Sequence, residues 1–246
     1  MKIHFLGTLG WYDTRLGNTL CVLVDTQDAY IVFDCGGGFY KLDRFIKEDK
    51  PIIVLLSHFH LDHIIGLHAL AKFSFKQGMK ILGPPGIQRL FGLIVNQPYT
   101  MAVNKLPTKI KVQEFSNDLK LPVKIVHRKL RHASLCFGYR LAAEGKVVAF
   151  CTDTGTCKNL EILAAGADLL IAESSLPAGK IDNSWPHLNP QQAAKTAQKA
   201  KAKKLILAHF DASMYLGVGD IGAAQTAARR IFKNTQAARD GLTLKL

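Results

Sequence analysis

Four side chains that can bind a metal ion lie within six positions of this 246-residue chain, at His58, His60, Asp62 and His63. They directly follow residues 51–56, an apolar run rich in β-branched residues that predicts a short buried strand. Imidazole nitrogens and carboxylate oxygens suit zinc, manganese or iron without any thiolate. The spacing therefore predicts a metal centre at a strand end, with His58 and His60 facing one position and Asp62 and His63 facing a second.

The stretch from Ser57 to His63 resembles the signature of the metallo-β-lactamase superfamily. This resemblance implies an α/β fold of the four-layer αβ/βα sandwich type that carries one or two metal ions. It also implies further ligands, because His132, Asp153 and His209 match the later motifs of the family, each at the end of a predicted strand. By this resemblance one ion is held by His58, His60, His132 and Asp153, and the other by Asp62, His63, His209 and Asp153.

Other motifs resemble the branch of the superfamily that contains ribonuclease Z and phosphodiesterases. Gly83-Pro84-Pro85-Gly86 resembles the turn found at the same place in ribonuclease Z, and residues 137–140 resemble the sequence that follows its third metal motif. His187 precedes a predicted helix N-terminus, and Glu173 follows a predicted strand; together they match a histidine–glutamate pair of this branch. Asp34 matches an Asp-x-Gly motif whose carboxylate orients the metal loop without binding metal.

The resemblance implies a chemistry for these residues. Two metal ions act on an in-line displacement by activating water, whose pKa falls to about 7, and by stabilising the charged transition state. Metal-bound hydroxide is therefore expected at neutral pH. Asp62 is predicted to be both a ligand and the acceptor of the water proton, and His187, held by Glu173, to protonate the leaving oxygen. We expect two divalent ions, with Zn²⁺ favoured and Mn²⁺ or Fe²⁺ as alternatives.

The charge of the chain favours an anionic substrate or partner. Thirty-two basic against nineteen acidic side chains leave a formal charge of +13. This charge suits a phosphodiester substrate and is also compatible with RNA as the substrate or partner. Between residues 101 and 140, nine Lys and Arg stand against only Glu114 and Asp118. An ordinary solvated basic surface is the alternative explanation for this excess.

Composition also bears on the cellular setting. The apolar runs are strand-sized, so no membrane span is expected, and the N-terminus does not resemble a secretory signal. Five cysteines without paired spacing indicate reduced thiols and a cytoplasmic protein, and we assign none of them as a ligand.

The chain is predicted to form a single domain over residues 1–246, because no repeat, linker or low-complexity segment interrupts it. Helices are predicted over 39–48, 64–75, 159–165, 190–201 and 221–232. The three prolines of residues 87–122 predict short pieces and loops. In ribonuclease Z this interval carries an arm that grips tRNA. The 45 residues between Gly86 and His132 leave no room for a full arm.

Three functions follow from these observations. The favoured one is a two-metal phosphodiesterase that acts on a small or cyclic phosphodiester, since the arm is missing. The first alternative is a tRNA 3′-processing endonuclease of ribonuclease Z type, supported by the shared motifs and the basic excess. A homodimer is expected, and its second copy would then supply part of the tRNA contacts. The second alternative is an inactive metal- or nucleic-acid-binding protein of the same fold, against which the complete ligand set argues.

Overall fold

The computed structural model describes residues 1–246 and contains fifteen strands and five α-helices. The strands are β1 (Lys2–Gly7), β2 (Leu9–Gly10), β3 (Cys21–Asp25), β4 (Tyr30–Phe33), β5 (Ile52–Leu55), β6 (Met79–Gly83), β7 (Ile110–Glu114), β8 (Lys124–Lys129), β9 (Phe137–Ala143), β10 (Lys146–Cys151), β11 (Leu169–Glu173), β12 (Leu205–Ala208), β13 (Phe210–Asp211), β14 (Thr235–Ala237) and β15 (Thr243–Lys245). The α-helices are α1 (Leu61–Ile64), α2 (Ile87–Ile94), α3 (Lys158–Ala164), α4 (Pro190–Lys199) and α5 (Val218–Arg229), and three 3-10 helices cover Gly37–Arg44, Ile65–Lys72 and Val103–Lys105.

Two sheets contain most of the strands. The seven-stranded sheet has the order β15-β1-β3-β4-β5-β6-β7, and the six-stranded sheet has the order β14-β12-β11-β10-β9-β8. Each sheet has an antiparallel part and a parallel part; β4 to β7 are parallel in the first sheet, and β10, β11, β12 and β14 in the second. The parallel parts matter for function because the carboxyl ends of their strands share one edge.

Three apolar clusters separate four layers. The central cluster joins the facing sides of the two sheets, and the rings of Phe33 and Phe150 stack across it at 4.7 Å between centroids. A second cluster packs α3, α4 and α5 on the outer side of the six-stranded sheet, and a third packs the 3-10 helices and α2 on the outer side of the seven-stranded sheet. This arrangement confirms the predicted four-layer αβ/βα sandwich.

The helix predicted over residues 64–75 differs in kind. A single α-helical turn, α1, is followed by the 3-10 helix Ile65–Lys72. The reason is that two backbone groups that an α-helix would use bind Cys35, just after β4, instead. The carbonyl of His63 accepts the N–H of Cys35 at 2.8 Å, and the N–H of Gly66 donates to the carbonyl of Cys35 at 2.7 Å. These bonds fasten the metal-binding loop to the neighbouring strand.

Two other predicted helices have different bounds. The segment predicted as a helix over 39–48 is the 3-10 helix Gly37–Arg44. The last helix begins at Val218, three residues before the prediction, because Asp220 Oδ2 accepts the N–H groups of Leu216 and Gly217 at 2.8 and 2.9 Å. Those bonds satisfy backbone donors ahead of the helix and extend its start.

Residues 87–122 consist of short pieces, as predicted: α2, one turn of 3-10 helix and β7. Strand β7, which was not predicted, has only a short alternation of apolar and polar residues, with Ile110 and Val112 as its apolar positions, and it pairs in parallel with β6 along its whole length. No inserted arm extends from this interval. None of the helices combines the length and apolarity needed to cross a bilayer.

Candidate metal centre

The predicted site residues lie where strands of both sheets end. His58, His60, Asp62 and His63 follow β5, Asp153 follows β10, Glu173 ends β11 and His209 follows β12. His132 and His187 lie on loops that reach the same edge. A cavity of about 650 Å³ opens there, lined among others by His60, Asp62, Asp153, His187 and His209. The sandwich therefore brings all nine predicted catalytic and ligating residues to one place.

The first group consists of His58, His60, His132 and Asp153, whose candidate ligand atoms all lie within 4.8 Å of one another. His132 Nε2 lies 3.3 Å from His60 Nδ1. Asp153 Oδ2 lies 3.7 Å from His58 Nε2 and 3.9 Å from His132 Nε2. Four atoms bound tetrahedrally to one Zn²⁺ lie about 3.3 Å apart, so this spacing fits a single ion.

The second group consists of Asp62, His63 and His209. Asp62 Oδ2 lies 3.4 Å from His63 Nε2 and 3.2 Å from His209 Nε2. Asp153 Oδ1 lies 3.2 Å from each of the same two nitrogens. The two oxygens of Asp153 thus face different groups, which is the geometry expected of a carboxylate that bridges two ions.

Buried hydrogen bonds orient the histidines. Asp34 accepts the N–H and the hydroxyl of Ser57 at 2.7 and 2.9 Å, and His63 Nδ1 lies 2.8 Å from the same carboxylate. Because the Ser57 hydroxyl donates to Asp34, the contact of 3.0 Å between Ser57 Oγ and His58 Nδ1 requires that His58 donates. His58 Nε2 is buried without any partner. Its free lone pair points into the first group and fits a metal ligand.

Ser175 orients His209, a contact that the sequence motifs did not reveal. Its hydroxyl donates to the carbonyl of His209 at 2.9 Å and lies 2.8 Å from His209 Nδ1. The hydroxyl has one proton, so Nδ1–H must be the donor in the second contact, and Nε2 is left for the metal group. The sequence places the Ser175 hydroxyl two positions after Glu173, and this spacing was the one signal of the contact.

The backbone turns sharply where the strands end. Asp34, Asp153 and His209 have φ values of 58°, 54° and 52°, and Trp11, which also lines the cavity, has 73°. Residues other than glycine rarely adopt this left-handed conformation, which costs about 1–3 kcal/mol each. Four of the six such residues in the chain are at this site. Their strain is maintained by the surrounding structure and directs the side chains inward.

Electrostatics divide the histidines into two sets. Burial lowers the pKa values of His58, His60 and His132, so these rings are neutral and can donate lone pairs to a metal. Burial also opposes charge on His63 and His209, but neighbouring carboxylates outweigh it and raise the pKa values of both. Burial favours protonation of Asp62 and Asp153, yet the adjacent histidines lower the pKa of each carboxylate.

His187 and Glu173 form the predicted pair. His187 Nδ1 lies 2.9 and 2.8 Å from the two oxygens of Glu173. Glu173 is fully buried and is held by the N–H groups of Thr154 and Ser175. Burial lowers the pKa of His187, but the charge and hydrogen bonds of Glu173 outweigh it and raise the pKa to about 9. The imidazole is therefore protonated at neutral pH and faces the cavity.

Several polar and ionisable residues lie apart from the centre. His68 is exposed, and its Nδ1 binds only the carbonyl of Ile65. None of the five cysteines forms a disulfide or joins a metal-binding group. Of the nine basic residues between 101 and 140, Arg140 donates to the carbonyl of Leu163. The other eight are exposed and form no ion pair: Lys105, Lys109, Lys111, Lys120, Lys124, Arg128, Lys129 and Arg131.

Comparison with known proteins agrees with this geometry. Residues 29–210 match the family described as the Beta-lactamase superfamily domain. The match covers most of the chain, and this protein belongs to that family. Ribonuclease Z of Streptococcus thermophilus is 28% identical over 309 aligned positions that cover 98% of both chains. Ribonuclease Z of Bacillus licheniformis is 28% identical over 304 positions, covering 98% of this chain and 97% of the relative.

Solved structures show the same fold. The metallo-β-lactamase fold protein YhfI from Bacillus subtilis superposes with a TM-score of 0.83 at 24% identity, covering 99% of this chain and 98% of that one. The short form of human tRNase Z gives 0.76 at 22% identity, with coverage of 100% and 99%. A diphosphatase of the PhnP family gives 0.74 at 17% identity, with coverage of 100% and 97%. The predicted superfamily is confirmed, and ribonuclease Z proteins are among the relatives that this chain resembles.

Proposed function

We propose that this protein is a two-metal phosphodiesterase that hydrolyses a small phosphodiester. The observation that carries the proposal is the placement of Asp153, whose two oxygens face two adjacent groups of metal-binding side chains. The protonated His187 faces the same cavity. A site with two metal-binding groups and one proton donor fits displacement at phosphorus, where charge must be neutralised and a leaving oxygen protonated.

The metal ions, when bound, activate water and neutralise charge on the phosphate. The first would be held by His58, His60, His132 and Asp153, and the second by Asp62, His63, His209 and Asp153. All ligand atoms are nitrogen or oxygen, a donor set that suits Zn²⁺, so we propose Zn²⁺ with Mn²⁺ or Fe²⁺ as alternatives.

Two residues move protons. Asp62 lies at the cavity wall, where its Oδ2 accepts the N–H of Trp11 at 2.8 Å, and its carboxylate is the proposed acceptor of the proton of the attacking water. His187 gives its proton to the leaving oxygen. Glu173 does not touch the substrate; it fixes the ring through Nδ1, so Nε2 is the nitrogen that carries the transferable proton.

The proposed substrate is small because the chain lacks the tRNA-gripping arm. The alignment with the ribonuclease Z of Streptococcus thermophilus runs over 309 positions, whereas this chain has 246 residues. At least 63 positions of that alignment therefore have no residue here. The interval 87–122 forms only short elements close to the sheet, and the cavity of about 650 Å³ suits a nucleotide-sized molecule.

One observation favours a second candidate, tRNA 3′-end processing. Eight exposed basic side chains without an ion pair occur between Lys105 and Arg131, and an excess of this kind favours binding to phosphate backbones. Two curated relatives that align over nearly the whole chain are named ribonuclease Z. For this function a second copy of the chain would supply tRNA contacts that the missing arm cannot.

The test compares two substrates with the Zn²⁺-loaded protein. We expect turnover of methyl p-nitrophenyl phosphate, measured by the absorbance of the released p-nitrophenolate. A tRNA precursor with a 3′ trailer should stay intact on a sequencing gel. Asp153→Asn, prepared in parallel, detects contaminating nucleases because it removes one ligand oxygen from the centre. Clean cleavage of the precursor at the mature 3′ end would establish the second candidate. If neither substrate is hydrolysed, the proposal of phosphodiester hydrolysis is refuted.

A further inference from the structure

Exposed aromatic residues line the cavity beside the metal-binding groups. Trp11 is 65% exposed, Tyr12 is 45% exposed and Trp185 is 48% exposed, although each contributes to the cavity wall. Large aromatic side chains left in water beside a polar site require an explanation, because their burial would stabilise the fold by about 1.5–3 kcal/mol each. None of the three belongs to the metal groups or to the His187–Glu173 pair.

The backbone at Trp11 adopts a strained conformation beside the metal-binding groups. Its φ of 73° is unfavourable for a bulky residue. The conformation is maintained on both sides: Trp11 N–H donates to Asp62 Oδ2 at 2.8 Å, and Gly10 lies so close to His209 that an added Cβ would approach Cε1 at 2.5 Å. Tyr12 packs edge-on against the indole at 5.3 Å. Contacts with Asp62 and His209 of the second metal-binding group therefore hold the Trp11 backbone at the cavity wall.

Trp185 packs against two histidines of the first metal-binding group. Its indole lies parallel to the ring of His60, with 5.8 Å between centroids and 11° between planes. It also lies edge-on to His132 at 5.8 Å. One indole face therefore covers a metal-binding histidine, while about half of the side chain remains exposed to the cavity.

We infer that Trp11 and Trp185 form the walls of a subsite for a nucleobase, so that the substrate is a phosphodiester of a nucleoside. Planar bases stack on indole faces without regard to sequence, and each such contact contributes about 1–3 kcal/mol, or about 5- to 150-fold in affinity. A rigid aromatic ring also loses little entropy on binding. This inference rests on the proposed phosphodiester chemistry, because the metal groups define where the phosphate lies relative to the walls.

The chain offers its own reporter for this subsite. It contains only two tryptophans, and both line the cavity. Indole fluorescence of the Zn²⁺-loaded protein therefore reports cavity occupancy without any turnover. We expect thymidine 5′-monophosphate to quench the emission saturably and methyl phosphate, which lacks the base, to leave it unchanged. Trp11→Phe and Trp185→Phe assign the quenching to each wall.

Activity gives the second readout. Thymidine 5′-(p-nitrophenyl phosphate) and methyl p-nitrophenyl phosphate share a leaving group and differ in the nucleoside. We expect Trp11→Ala and Trp185→Leu each to raise KM for the thymidine ester at least about fivefold more than KM for the methyl ester. Tyr99→Ala is the matched control, because Tyr99 is 67% exposed but does not line the cavity. Metal content is measured for every variant, so that loss of the cover over His60 is not mistaken for loss of a base contact.

The outcomes separate the two proposals. Turnover of both esters with equal effects of the tryptophan variants would overturn the nucleobase subsite and leave the phosphodiesterase intact. Quenching by thymidine 5′-monophosphate with hydrolysis of neither ester would support the nucleobase subsite and overturn the phosphodiesterase. Phenyl phosphate that quenches as tightly as thymidine 5′-monophosphate would also overturn the nucleobase assignment, because the walls would then select any aromatic group.

Discussion

Removal of the imidazole at His187 should affect substrates in proportion to their need for a proton. An alkoxide leaving group, as in thymidylyl-(3′→5′)-thymidine, must be protonated as its bond to phosphorus breaks, whereas p-nitrophenolate leaves without one. General acid catalysis contributes about 10²- to 10⁴-fold. We therefore expect His187→Ala to lower kcat for the dinucleotide by about that factor and kcat for thymidine 5′-(p-nitrophenyl phosphate) by much less, with both metal ions retained.

The Glu173 carboxylate determines the pH range of this step. With the pKa of His187 at about 9, about 97% of the imidazole is protonated at pH 7.5. Glu173→Gln removes the charge that raises the pKa and leaves burial, which lowers it, so the value should fall to the ordinary 6.5 or below. At pH 7.5 no more than about 10% of the imidazole would then be protonated, a loss of about tenfold.

The sign of the pH dependence follows from the raised pKa. The donor is present below about 9 and is lost as the pH rises through that value. Dinucleotide turnover should therefore decline above pH 9 in the parent protein. In Glu173→Gln the decline should begin at pH 6.5 or lower. In His187→Ala the turnover that remains should show no such decline. His68→Ala serves as the control, because His68 is an exposed histidine outside the site. Equal losses on both substrates, or a parent limb that persists in His187→Ala, would refute the reasoning.

Three further predictions concern the metal groups. Asp153→Ala should lose both ions and all turnover, which metal analysis of the dialysed protein checks; retention of two ions would contradict the bridging role. Ser175→Ala should weaken metal binding at the second group about 10- to 100-fold, because it removes the acceptor of the His209 Nδ1–H, whereas Ser175→Thr should preserve it; chelator competition measures both. Gly10→Ala should displace the His209 ring, since the new Cβ would lie 2.5 Å from Cε1, and lower metal content. Gly92→Ala, with no atom within 4 Å of its added Cβ, is its control and should keep both ions.

The fold and the grouping of the site residues could be predicted because the motif from Ser57 to His63 carries the resemblance to the superfamily, and local signals along the chain agree with it. Short apolar runs mark the buried parallel strands, and polar ligands follow each run directly, so the strand order need not be known to expect that they meet at one edge. Asn189 and Gln192 have the sequence pattern of a helix capping box. Both of its hydrogen bonds are present, from Gln192 N–H to Asn189 Oδ1 at 2.9 Å and from Asn189 N–H to Gln192 Oε1 at 3.0 Å. These bonds begin α4 just after His187 and fix its loop.

The features that were not predicted depend on contacts between distant segments. The 3-10 geometry after His63 arises from bonds to Cys35, 28 positions earlier in the chain. Strand β7 forms at the edge of the sheet that β6 offers it, although three of its five residues are polar or charged. Trp11 and Trp185 lie 174 positions apart, and only the closed sandwich shows that they share a cavity. Periodicity and propensity carry no information about such pairs.

The left-handed backbone at Asp34, Asp153 and His209 has a consequence for the balance between stability and activity. Each conformation costs about 1–3 kcal/mol, a large share of the 5–15 kcal/mol that typically stabilises a domain. Replacement of one of these residues by glycine should therefore relieve backbone strain while it removes a side chain of the centre, so that stability and activity oppose each other at these three positions.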